Sequence, residues 1–458
     1  MLTERLAGFI VGTKTAEVPQ QVLDAARDAF IDTIGCGLVG SGEEISGIVI
    51  RFLKEQGGNP QATVWGSGLV TTATDAAFAN GVFSHALDYD DTHSNLRGHP
   101  SASLVPAILA VGERVHTPGR EALAAYAVGL DVAGKLGRAL GDAHYMRGWH
   151  ATASVGVFGA AAAAARLLGL TADQCRHALG IAASESSGLL RNFGSMTKPF
   201  HAGHAARNGL LAAILAGRGF TADTAIFDGA DGFLGTYGGA DGKPLAGLLD
   251  RLADPWEVIT PGIFFKRWPC CYCNHRSIGG ILEMIAAHGI SAPEVEAVDI
   301  GFPPGADAAL ISTDPRTGLQ GKFSIEYAAA ATLLDGKVTL ESFTDAMVNR
   351  PEARSLMQRV KRHRIDDTRT YSGTIGYNDI AIKTTRGEFT QRIDRTPGSP
   401  AWPMSAAERD EKFLDCAALV LGDAAARGLL ELAMNVGSLE DVGALSRAAV
   451  AGGVQEGS

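Results

Sequence analysis

Val298-Asp299-Ile300-Gly301-Phe302-Pro303-Pro304-Gly305 is the stretch on which the architecture of this chain turns. Val298, Ile300 and Phe302 alternate with Asp299 and Gly301, which is the period of a strand with one buried face, and the Pro-Pro-Gly run ends it. Strand-like alternation is nearly absent before about residue 260, where alanine and leucine recur at helical spacing. After the break the alternation returns in Ile380, Ile382 and Thr384, a turn at Arg386-Gly387, then Phe389, Gln391 and Ile393, the pattern of a hairpin. Between these strands, Ser324–Leu334 and Leu340–Asn349 read as helices.

The helical part is typified by Val18–Gly35, in which Val22, Ala25, Ala26, Ala29, Phe30 and Thr33 form one apolar stripe and Gly35 marks an end. Ala151–Ala165, built from small residues, reads as one tightly packed buried helix. Beyond Pro397-Gly398-Ser399-Pro400, the spelling Ser405-Ala406-Ala407-Glu408 is a capping box, so helices resume. The expected fold is therefore mainly α: a large, discontinuous all-helical domain (1–262 and 398–458) with a smaller α+β lid domain (263–397) inserted in it. The glycine-rich tail 451–458 is expected to be mobile.

With 46% hydrophobic and 20% charged residues in 458, the chain can bury a large core. A formal charge of -10 argues against nucleic acid or an anionic membrane as partner, because both select basic surfaces. An anionic substrate then needs a local basic pocket. Six cysteines (36, 175, 270, 271, 273 and 416) lack the spacing of a disulfide framework, and Met1–Leu6 lacks the pattern of a secretion signal, so a cytoplasmic setting is expected.

Four polar patches stand out. In Asn80–Thr92, helical spacing would put Ser84, Asp88 and Asp91 or Thr92 on one face, and His99-Pro100-Ser101 follows at once. Three readings compete for this segment: a metal site, a metal-free acid/base site, and a solvated helix end. The calcium-loop spelling is missing. Zinc ligands could come from His85, Asp88, His93 and His99, though no two of these histidines sit four apart. The second patch, Trp149-His150-Ala151-Thr152, opens a helix, where free amides favour an anion. The third, Ser195–Gly209, sets Lys198, His201 and His204 before small residues that allow close packing, so the lysine is expected either to lose its proton readily or to pair with an anion. In the fourth, Phe264–His275, Lys266 and Arg267 lie between aromatic residues, as in an anion clamp with apolar walls. Cys270 and Cys273 are spaced Cys-x-x-Cys, but no second pair follows, and they read as small buried residues.

Taken in order, Asp88-Tyr89-Asp90-Asp91-Thr92 with His99-Pro100-Ser101, Trp149-His150-Ala151-Thr152-Ala153, Lys198-Pro199-Phe200-His201-Ala202-Gly203, Lys266-Arg267-Trp268-Pro269, Lys322–Tyr327 and Leu333-Leu334-Asp335-Gly336 resemble the MmgE/PrpD family. The resemblance spans nearly the whole chain. It implies a helical domain with a smaller lid, a homodimer, and a cofactor-free, metal-independent lyase whose site lies between domains and takes a small di- or tricarboxylate. By the same resemblance the catalytic set is Asp88, Thr92, His99, His150 and Tyr327, and Lys198, Lys266 and His275 bind substrate. Tyr327 comes from the resemblance alone. The first expectation is water elimination of the 2-methylcitrate dehydratase type through a carbanion-like state, with His99 as acid/base. The alternatives are cis-aconitate-type decarboxylation, epimerisation of an iminodisuccinate-like substrate, and, from another class, a noncatalytic helical dimeric binding protein.

Overall fold

The period change near residue 295 is a change of architecture in the computed structural model, which describes residues 1–239 and 241–452. The tail expected to be mobile lies, from 453 on, outside the described residues. On the helical side α1 (Gln20–Ser41), α2 (Ala73–His85), α3 (Pro100–Val115), α4 (Gly119–Leu140), α5 (Gly156–Leu167) and α6 (Thr197–Gly217) share one core, with a two-stranded ribbon, β1 (Ala62–Thr63) and β2 (Val70–Thr71), at its edge. No helix among the described residues is long and apolar enough to cross a membrane.

Small residues let these helices touch backbone to backbone. A side chain at Gly81 of α2 would stand 2.7 Å from the Cα of Gly203 of α6, and one at Gly203 would stand 2.3 Å from the Phe78 carbonyl oxygen. This crossing brings the last residue of α2, His85, against Lys198 at the start of α6. Gly35 does not end α1, which runs on to Ser41. A Cβ there would lie 3.0 Å from the Phe413 ring, so the glycine serves close packing. Phe413 belongs to α9 (Ala406–Leu421), which carries the expected Ser405–Glu408 capping box and contributes, with later helices, to the same core as the N-terminal half. Ala151–Ala165 is buried as expected but is broken at Val155 into a single turn, Ala151–Ser154, and α5.

The second core lies around a four-stranded sheet of order β4-β3-β5-β6, formed by β3 (Val295–Phe302), β4 (Val360–Arg364), β5 (Asn378–Thr384) and β6 (Gly387–Ile393). β3 is parallel to β4 and antiparallel to β5, and β5 and β6 make the expected hairpin, with Thr384 opposite Gly387. α7 (Tyr272–His288) and α8 (Ile325–Asp335) supply apolar side chains to this core. A Cβ at Gly280 would come within 2.6 Å of Ile380, so α7 lies tight on the sheet. One local expectation fails, and one strand carries no signal in the sequence. Leu340–Asn349 is two short turns separated at Thr344, whose hydroxyl caps the second, and the charged strand Val360–Arg364 had no alternating apolar signal because it is an edge strand.

Candidate active site

The helical face through Asn80–Thr92 does not exist, because α2 stops at His85 and Asp88 takes a left-handed conformation, φ 53°. Polar groups converge here by turning rather than by helical period. The Lys198 ammonium donates to Asp88 Oδ1 at 2.7 Å and to His85 Nε2 at 2.7 Å. Lys266 reaches the same Oδ1 at 2.9 Å and donates to the Asp88 carbonyl oxygen at 2.6 Å. Lys322 joins the two sides of the cleft, donating to the carbonyls of Leu87 (2.8 Å) and Pro269 (2.7 Å). All three lysines are buried.

Two histidine tautomers follow from their partners. His99 Nδ1 lies 2.8 Å from the Asp91 carbonyl oxygen, which can only accept, so Nδ1 carries the proton. His99 Nε2 is then the basic nitrogen, 3.7 Å from Asp88 Oδ1. His85 donates through Nδ1 to the Asp90 carboxylate (2.8 and 2.9 Å) and accepts from Lys198 through Nε2. His150 is held by His201 (Nδ1 to Nδ1, 2.9 Å) and by Thr152 Oγ1 (2.7 Å), which also accepts from the His99 amide at 3.0 Å.

Burial sets the electrostatics. It would raise the Asp88 carboxyl, but the charges of Lys198 and Lys266 outweigh it and hold the group well below the usual carboxylate range. Burial pushes His85 down to about 3, lowers His99 despite the Asp90 charge, and lowers His150 strongly with help from Lys198. The resting site therefore holds neutral imidazoles beside a lysine-clamped carboxylate.

These groups border a cavity between the two cores, lined by Asp88, Thr92, His99, His150 and Lys198 on the helical side and by Phe193 and Phe323, with Tyr272 and the Ser372–Thr374 loop from the lid. Asp88 Oδ2 and Thr92 Oγ1 are buried there without a hydrogen-bond partner. Five of the eight expected site residues line one cavity. Lys266 stands behind Asp88 rather than in the lining, and His275 lies in the lid, stacked on Tyr272 at 4.9 Å. Tyr327 is not brought to the cavity: its hydroxyl donates to the Ser342 carbonyl within the lid core, and its ring packs on Phe343. His85 and Asp90 belong to the hydrogen-bonded set as well, and a pairing five residues apart across a non-helical turn leaves no periodic signal in the sequence.

His85, Asp88, Asp90 and His99 each offer a ligand atom within 4.8 Å of the others, as do His85, His99 and His150. A divalent cation at the first set would meet two ammonium groups already bonded to Asp88 and His85, and like charges at that range repel strongly. The donor set suits a proton-transfer site better than a metal.

Residues 4–245 match the MmgE/PrpD N-terminal domain and residues 268–436 match the MmgE/PrpD C-terminal domain. The chain belongs to the MmgE/PrpD family. Among relatives of this MmgE/PrpD chain, the cis-aconitate decarboxylase of Homo sapiens is 30% identical over 467 residues, covering 97% of this chain and 94% of that protein. That of Mus musculus is 30% identical over 461 residues (97% and 93%), and that of Aspergillus terreus 25% over 467 residues (97% and 95%). The similarity supports a lyase and, within lyases, a carboxy-lyase; it gives no support to the 2-methylcitrate specificity expected from the sequence.

Proposed function

We propose that this MmgE/PrpD protein is a metal-independent carboxy-lyase that decarboxylates a small unsaturated tricarboxylate of the cis-aconitate type. The observation that carries the reading is the meeting of Lys198, Lys266 and His99 at Asp88 Oδ1, beside the cavity between the two cores. The decarboxylase relatives turn the choice from water elimination to loss of carbon dioxide. A noncatalytic scaffold has no need to bring these side chains within one substrate length.

In this reading the positive charge around Lys198 attracts the substrate carboxylates. The carbon–carbon bond to the carboxylate adjacent to the allylic carbon breaks, and carbon dioxide leaves. Its electron pair forms a new double bond, while the old one shifts its electrons to the carbon beside the remaining carboxylate. His99, protonated at Nε2 when the polyanion brings in negative charge, gives that carbon a proton and regains one from solvent. Asp88 orients the two ammonium groups and faces the imidazole.

The test is incubation with cis-aconitate, 2-methylcitrate and iminodisuccinate in deuterated water, with NMR of the products and measurement of released carbon dioxide. One carbon dioxide and one deuterium at carbon per cis-aconitate are expected. His99→Ala and Lys198→Ala should each lose more than about a hundredfold in kcat. Near-wild-type turnover in either variant, or release of water or epimer without carbon dioxide, would overturn the reading.

A further inference from the structure

Arg97 is a cation lining the same cavity, and the chemistry proposed above gives it no part. It has an unusual backbone: Arg97 is left-handed, φ 53°, in a turn closed by its amide on the His93 carbonyl (2.9 Å) and by the His93 amide on the Gly98 carbonyl (3.0 Å). Gly98 seals the arrangement, since a Cβ there would stand 2.7 Å from the Thr152 nitrogen. The turn is thus pressed onto the helix start that follows His150, and it directs Arg97 and His99 into one cavity. A left-handed arginine costs conformational energy, and such residues persist where the surroundings hold them for a purpose.

The guanidinium is nearly enclosed, with the side chain 9% exposed, and lies 5.1 Å over the Tyr145 ring. Nη2 donates to the Tyr371 carbonyl of the lid at 2.8 Å. Nη1 comes within 2.8 Å of Asp142 Oδ1 but out of line, and it makes no hydrogen bond, although it is buried. Asp142 is 46% exposed, so water competes for its carboxylate and weakens the pair. The lysines, in contrast, are committed to Asp88 and to His85.

We propose that Arg97 binds a substrate carboxylate that the lysine–Asp88 cluster does not reach, and so selects tricarboxylates over dicarboxylates of the same chain length. A carboxylate would meet a planar donor whose buried Nη1 lacks a hydrogen bond, in place of a carbonyl and a half-exposed aspartate. The inference rests on the reading that the site takes a small polycarboxylate.

Calorimetric titration with propane-1,2,3-tricarboxylate, which is saturated and cannot undergo the allylic decarboxylation, and with glutarate, which lacks the central carboxylate, tests it. The proteins are wild type, Arg97→Met, Arg97→Lys and Asp142→Asn. Wild type should prefer the tricarboxylate by about tenfold or more, the scale of a hydrogen bond between charged groups. Arg97→Met should lose roughly ten- to a hundredfold on the tricarboxylate and less than about threefold on glutarate, with Arg97→Lys between and Asp142→Asn close to wild type on both. An equal loss on both anions, no loss, or the same loss in Asp142→Asn would overturn the proposal. Arg97-dependent binding without turnover of cis-aconitate would sink the decarboxylase reading alone. Failure of the wild type to bind either anion would sink both.

Discussion

Neutralising Asp88 should show how far the site depends on one carboxylate. Its Oδ1 receives Lys198 at 2.7 Å and Lys266 at 2.9 Å, all within a buried cluster. At an effective dielectric constant of about 20, a pair at that range attracts by roughly 6 kcal/mol before desolvation is counted. Removing one partner of a buried pair costs about 3–5 kcal/mol, because the other charge stays buried and uncompensated. Asp88→Asn leaves two such ammonium groups, whereas Lys266→Met leaves Asp88 with Lys198. Urea unfolding of Asp88→Asn, Lys266→Met and the double variant forms a closed cycle. Asp88→Asn is expected to fall about 3 kcal/mol or more below wild type, and Lys266→Met by less, because Asp88 keeps Lys198 as its partner. The double variant should fall short of their sum by about 2 kcal/mol, with the residual cost set by Lys198. Additivity to within about 0.5 kcal/mol would mean that Lys266 and Asp88 do not act as a pair, and the electrostatic picture of the site would be wrong.

Turnover of cis-aconitate should survive exhaustive chelation; inactivation that zinc or magnesium reverses would restore the histidine–aspartate set as a metal centre. Lys322, brought down to about 8 chiefly by burial, is protonated below that value in the folded protein and up to about 10.5 when unfolded. The unfolded state then binds more protons between pH 8 and 10.5, so the stability of wild type relative to Lys322→Met should rise by about 3 kcal/mol across that window, and a flat difference would refute it. Tyr327→Phe should keep kcat within about threefold and lose about 1 kcal/mol of stability, the worth of one buried hydrogen bond. A hundredfold loss of kcat would return Tyr327 to the catalytic set.

Much of the fold could be read along the chain because its signals are local. A helix against a core repeats every 3.6 residues and a half-buried strand every two, so Val22–Thr33, Val298–Phe302 and the hairpin at 380–393 announced themselves. The misses fall where a tertiary contact overrode a local rule. Gly35 looked like a stop, but it is the point where α1 meets Phe413, and Val360–Arg364 is a strand only because β3 pairs with it.

For the site, the sequence by itself determined which residue types were out of place in an acidic, alanine-rich chain: Asp88, Thr92, His99, His150 and Lys198 all proved to line one cavity. Only the tertiary structure decided what each does there. It turned both lysines onto Asp88, put Tyr327 in the lid core, and brought Arg97 into the lining. The reason is geometric. The glycine-to-glycine crossing of α2 and α6 and the left-handed turns at Asp88 and Arg97 fix where these side chains end, and neither leaves a period in the sequence.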